Sequence, residues 1–111
     1  MFYGVYEAPI YDAEGKIKEY EYGGGVYTNF DDWYADTCCP DSNILAIFDF
    51  KAHGKTYAEK KASVQEAAHL FDDTNYLINM SYNEYYLLSE FFTKYGKRLG
   101  LVKEFTENGI I

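Results

Sequence analysis

Residues 44–50, Ile-Leu-Ala-Ile-Phe-Asp-Phe, form a short and almost continuously apolar run. A run of that length, too short to cross a bilayer and followed by turn residues, is expected to be a strand with both faces covered. It is therefore predicted to lie in the middle of a sheet, with its neighbours supplying the flanking strands and covering helices.

Upstream, residues 2–6 combine aromatic and β-branched side chains and predict a strand, which Pro9 limits. Asp12-Ala13-Glu14-Gly15 has turn chemistry. Residues 17–22 then alternate between Ile17, Glu19 and Glu21 on one face and Lys18, Tyr20 and Tyr22 on the other. The two segments predict an initial hairpin. Gly23-Gly24-Gly25 is expected to form a loop or tight bend before a further short strand at 26–28. Asn29 and Asp32 predict the start of a short helix carrying Phe30, Trp33 and Tyr34, with Asp31 and Asp32 at its positive end.

Downstream, Thr56 and Glu59 form a capping-box pattern before Tyr57, Val64, Ala67, Ala68 and Phe71, which recur at helical spacing. Residues 76–80 read as another strand. Ser81 with Glu84, or Asn83 alone, is expected to cap a second long helix whose stripe is Tyr85, Leu88, Phe92 and Tyr95, with Gly96 and the cations Lys94, Lys97 and Arg98 at its end. Residues 99–105 read as a final strand. The expected fold is a small α/β or α+β domain, with one mixed sheet of about five strands, an N-terminal hairpin and two to three helices. Right-handed crossovers would join its parallel strands. All 111 residues are expected in a single globular domain.

The charge is lopsided. Ten of the eighteen acidic residues lie in the first fifty positions against only Lys16 and Lys18, so that stretch carries the whole net charge of -8. An acidic surface repels phosphate backbones and anionic membranes, so neither direct nucleic-acid binding nor membrane binding is expected. It attracts basic proteins, including the nucleic-acid-binding surface of another protein. The start of the chain lacks a basic segment followed by an apolar run, and no apolar stretch is long enough to span a bilayer, so a cytoplasmic protein is expected. Cys38 and Cys39 are adjacent, which disfavours a disulfide and fits reduced thiols.

Motifs that carry chemistry are sparse. Gly54-Lys55-Thr56 resembles the end of a phosphate-binding loop, but Asp49 stands where that loop needs a glycine. A polar helix start explains it better. Cys38, Cys39, His53 and His69 lack the spacing of a zinc site, and nothing orders a cysteine, His53 and an aspartate into a nucleophilic triad. His69 reads as a helix-edge residue or a packed imidazole, and neither a metal nor a cofactor is expected. The enzymatic alternative is a small metal-dependent hydrolase or transferase using Asp49, His53 and Asp72 at strand and helix ends, where Asp73 is also available.

The chain is also rich in aromatics, with thirteen tyrosines, eight phenylalanines and one tryptophan. Phe48, Phe50, Phe71, Phe91 and Phe92 suit a core, whereas Tyr20, Tyr22, Tyr27, Trp33 and Tyr34 coincide with the excess acid. The leading expectation is a non-enzymatic interaction module, an inhibitor or sequestering protein. Glu19, Glu21, Asp31 and Asp32 would steer a basic protein onto anchors at Tyr20, Tyr22, Trp33 and Tyr34. Self-association through the same face is the other partner expected.

Residues 76–84 with 91–96 look like a late strand and helix of adenine-specific DNA methyltransferases. The Asp-Pro-Pro-Tyr and glycine-rich methyl-donor motifs of that family are absent, and Cys39-Pro40-Asp41 does not replace them. No methyltransferase activity follows from so short a likeness.

Overall fold

Tyr3, Gly4 and Val5 are all buried, although strand geometry turns Gly4 to the face opposite its neighbours. They belong to β1 (Phe2–Tyr11), which is therefore covered on both faces and lies at the centre of a three-stranded sheet of order β2-β1-β3. The computed structural model describes residues 1–36 and 42–111. β2 (Ile17–Tyr27) and β3 (Asn43–Asp49) both run antiparallel to β1.

The hairpin turn forms as its residues dictate. Asp12 Oδ1 accepts from the N–H groups of Glu14 and Lys16 at 2.9 and 3.0 Å, and Gly15 takes a φ of 80°. The three glycines, expected as a loop, instead carry β2 onward, so residues 26–28 are not a separate strand. Gly24 and Gly25 have φ values of 145° and 148°, which side-chain-bearing residues rarely adopt. A Cβ on Gly24 would strike the Gly4 carbonyl oxygen, and one on Gly23 would strike the Tyr6 ring. The glycines thus allow close cross-strand approach while keeping the ladder intact.

Asn29 caps α1 (Phe30–Asp36) as expected: its Oδ1 accepts from the Asp32 N–H at 2.9 Å, and its Nδ2 donates to Asp32 Oδ2 at 2.9 Å. The helix lays Trp33 against Gly4. Phe2 meets Trp33 edge to face at 5.8 Å and stacks on Tyr27 at 5.8 Å, while Phe30 contacts both Phe2 and Trp33. On the opposite face Tyr3 stacks on Phe48 at 5.0 Å and shares a buried hydrogen bond of 2.8 Å with Thr74 Oγ1.

Two compact units make up the chain, Met1–Asp49 with Thr74–Asn79 and Phe50–Asp73 with Met80–Ile111. The second unit is helical. Thr56 Oγ1 accepts from the Glu59 N–H at 3.1 Å to start α2 (Tyr57–Thr74), but Glu59 turns its carboxylate to the Lys55 N–H rather than completing a capping box. The Ser81 and Glu84 box is complete and opens α3 (Tyr82–Leu99). Val64, Ala67, Ala68, Leu88, Phe91, Phe92, Leu99, Leu101 and Phe105 are buried. The aromatic core runs from Phe71 through Phe92, which meets Phe91 at 4.8 Å and Phe105 edge to face at 5.7 Å.

The expected five strands and two to three helices are overturned: the described residues form three strands in one sheet and four helices. No parallel pair joins those strands, and with β2 and β3 on opposite sides of β1 the connection between them is a crossover past the central strand. β3, expected at the centre, is an edge strand, with Ile44 and Ile47 exposed. Residues 76–80 are not a strand. Asn75–Leu77 make a 3-10 turn, and burial of Ile78 alone accounts for the apolar run. Residues 99–105 also fail as a strand, because Gly100, at φ 70° and ψ 32°, caps α3 and lets the chain turn into α4 (Val102–Glu107). Gly96 does not end α3. It is buried inside the helix, where a Cβ would stand 3.4 Å from the Phe105 ring.

Candidate functional site

The charge asymmetry follows the structural division. The ten acidic residues and two lysines of positions 1–49 all belong to the first unit, whose second segment, Thr74–Asn79, is uncharged. The second unit holds eight acidic and eight basic residues.

Within the first unit, β3 pairs with β1 only as far as Glu7. Beyond it, residues 8–11 and 17–21 continue as a two-stranded arm about 14 Å long at strand rise. Pairing ends two positions before Pro9, whose missing N–H suits an unaccompanied edge. The first six residues of β2 are all exposed.

Residues paired across an antiparallel ladder share a face. Pro9 is opposite Tyr20 and Glu7 opposite Tyr22, which puts Tyr20 and Tyr22 on the Tyr3 and Val5 side of the sheet. Ile10 is opposite Glu19 and Ala8 opposite Glu21, which puts both carboxylates on the Gly4 and Tyr6 side. The register shifts between Ile10 and Tyr11, so Tyr11 faces Ile17 and Lys18 is passed over. That bulge transfers Ile17 from the carboxylate face to the tyrosine face. The arm is therefore two-sided: Tyr11, Ile17, Tyr20 and Tyr22 make one face, 46%, 52%, 44% and 38% exposed, and Glu19 and Glu21 lie on the other.

The expected interaction cluster does not form one patch. Glu19, Tyr20 and Glu21 lie on the arm and Tyr22 at its base, and they divide between the two faces. Asp31, Asp32 and Tyr34 are exposed on α1, where Tyr34 stacks on Phe30 at 6.0 Å and Asp32 is partly engaged in the Asn29 cap. Trp33 is not a surface anchor: at 1% exposure it fills the space above Gly4. Its Nε1 is buried without a hydrogen-bond partner among the described residues. Tyr11 and Ile17 are arm residues that the alternation missed, because no sequence signal marked the bulge.

Among the described residues no group of three or more His, Cys, Asp and Glu side chains could hold a metal, so Asp49, His53 and Asp72 form no such cluster. Asp49 ends β3 opposite Phe2, the His53 backbone N–H donates to Ser63 Oγ at 2.8 Å, and Asp72 is exposed in the last turn of α2. Cys38 and Cys39 lie outside the described residues. At the phosphate-loop-like turn, Glu59 Oε2 accepts from the Lys55 N–H at 2.8 Å, so a carboxylate stands against the backbone a phosphate would need. His69 is an exposed helix residue, which fits the helix-edge reading and not the packed imidazole. No described helix is long and apolar enough to cross a membrane.

No family model matches the chain, and no curated protein or solved structure matches it either.

Proposed function

We propose that this chain is a non-enzymatic interaction module of the cytoplasm whose hairpin arm enters a basic cleft on a protein partner and so inhibits or sequesters it. The observation that carries this reading is the arm itself, exposed on both faces, with an apolar tyrosine-rich side and a carboxylate side. A flat partner would meet one side only. A cleft meets both, placing cations against Glu19 and Glu21 and an apolar wall against Tyr11, Ile17, Tyr20 and Tyr22.

The division of labour follows from the physics. Carboxylates near the tip raise the encounter rate with a positive partner and give way to screening as salt rises. Tyrosines bury large area at low cost in side-chain freedom and keep a polar tip for hydrogen bonding, which makes them anchors.

The test is capture from cell extract by the immobilised protein, with bound proteins identified by mass spectrometry. The wild type is expected to retain a basic protein that salt elutes. E19K/E21K should lose it at low salt, and Y20A/Y22A should lose it at every salt concentration. Retention by both variants at the wild-type level contradicts the proposal, and retention of this chain itself would replace the basic partner with self-association.

A further inference from the structure

The second unit contains a pocket of about 430 Å³ lined by Ala52, Tyr57, Lys60, Tyr95, Arg98 and Leu99. From it we infer a binding site for an aromatic phosphate monoester of mononucleotide size. All six residues belong to that unit, so the inference is independent of the arm.

The cations come first. Lys60 and Arg98 have no ion pair with any described carboxylate, in a protein where acids outnumber bases by eighteen to ten. The nearest acid in sequence, Glu59, has its carboxylate on the Lys55 N–H. Two unpaired cations on one pocket match the charge of a phosphate monoester near neutral pH, about -1.5 to -2. Arg98 is held in place: its Cζ lies 5.8 Å from the Tyr95 ring centroid, while Lys94 Nζ approaches the same ring at 5.4 Å.

The helix ends do not decide the matter. Tyr57 begins α2 and Leu99 ends α3, so a positive and a negative helix terminus both border the pocket and offset one another. Selection for an anion therefore rests on the Lys60 and Arg98 side chains.

The aromatic part of the assignment rests on Tyr57. Its ring spans from the first turn of α2 to the C-cap of α3, where its hydroxyl would lie 3.2 Å from a Cβ on Gly100, and it is 57% exposed. It offers an open face for a planar ring, whereas Tyr95 is already engaged by its two cations. The pocket volume lies within the range typical of small-molecule sites, roughly 300–1,000 Å³.

The experiment is NMR titration of the full chain with adenosine 5′-monophosphate, adenosine and inorganic phosphate. Wild type, Lys60→Gln, Arg98→Gln and the control Lys103→Gln are compared, with far-UV circular dichroism confirming the fold of each. The monophosphate should saturate, and its shifts should centre on Ala52, Tyr57, Lys60 and Arg98. Its affinity should fall at least tenfold in K60Q and R98Q and hold in K103Q. Adenosine and inorganic phosphate should each bind at least tenfold more weakly. Absence of saturation, equal loss in K103Q, or wild-type affinity in K60Q and R98Q would overturn the site. Inorganic phosphate binding as tightly as the monophosphate would overturn the aromatic assignment.

Discussion

The Trp33 indole lies directly over Gly4, so close that a Cβ on residue 4 would stand 2.5 Å from Nε1 and 2.8 Å from Cε2. This contact fastens α1 to the central strand, and it exists because residue 4 has no side chain. Gly4→Ala should cost about 1–3 kcal/mol, the usual penalty for overpacking a filled site. Trp33 is the only tryptophan, so urea unfolding followed by fluorescence reads the first unit selectively. A wild-type midpoint in the Ala variant would show that the indole moves aside freely.

Gly24 and Gly15 provide a contrast within one hairpin. Gly15→Ala places a Cβ in open space at φ 80° and should cost about 1–2 kcal/mol, the left-handed penalty alone. Gly24→Ala adds a collision with the Gly4 carbonyl oxygen to a comparable backbone strain, and should cost more than about 3 kcal/mol. Equal midpoints for the two variants would contradict the close approach of β1 and β2.

Ser81→Ala removes the side chain that accepts from the Glu84 N–H at 3.2 Å, and with it half of the α3 capping box. The expected loss is about 1 kcal/mol, seen as a lower thermal midpoint by circular dichroism. Ser81→Asp should restore most of it, since aspartate caps comparably.

Tyr86 donates to Glu90 Oε1 at 2.9 Å. That hydrogen bond, then the charge of the Glu90 carboxylate, raises the phenol above its ordinary pKa of 10.0. Ionisation removes the donor and sets two negative groups together. The bond's contribution to folding is therefore complete below pH 10.0 and is lost as pH rises through the raised pKa. Glu90→Gln should bring the Tyr86 titration back toward 10.0, measured by NMR of its ring signals.

Much of the local structure was legible in the sequence because it depends on neighbours a few residues apart. The Asp12 turn, the Asn29 cap and the Ser81 box each place a polar side chain within reach of specific backbone N–H groups. Apolar runs were less informative. A run at 44–50 reads the same whether one or both faces are covered, and only the full sheet shows that β1 took the centre. The run at 99–105 has apolar residues at 99 and 101 that suggest alternation, yet Leu101 and Phe105 are four apart and helical. Gly100 was the cue for the reversal, and it was obscured by Gly96, whose role is close packing against Phe105.

The candidate site was legible in part. Alternation correctly separated Glu19 and Glu21 from Tyr20 and Tyr22, which fixes the two sides of the arm. The bulge that adds Ile17 to the tyrosine side depends on pairing partners and leaves no mark in the sequence. Trp33 was misplaced because a short helix with aromatic residues at successive positions does not reveal which of them turns inward. Gly4, its partner across the fold, decided that.

The central claim is that one partner grips both faces of the arm, and photo-crosslinking tests it most directly. A photoreactive phenylalanine analogue replaces Tyr20 in one version of the protein and Glu19 in another, which places the probe on opposite faces of the arm. Both positions are expected to crosslink to the same basic protein, and both crosslinks to fade as salt rises. Crosslinking from one face alone, or to different proteins from the two faces, would contradict it.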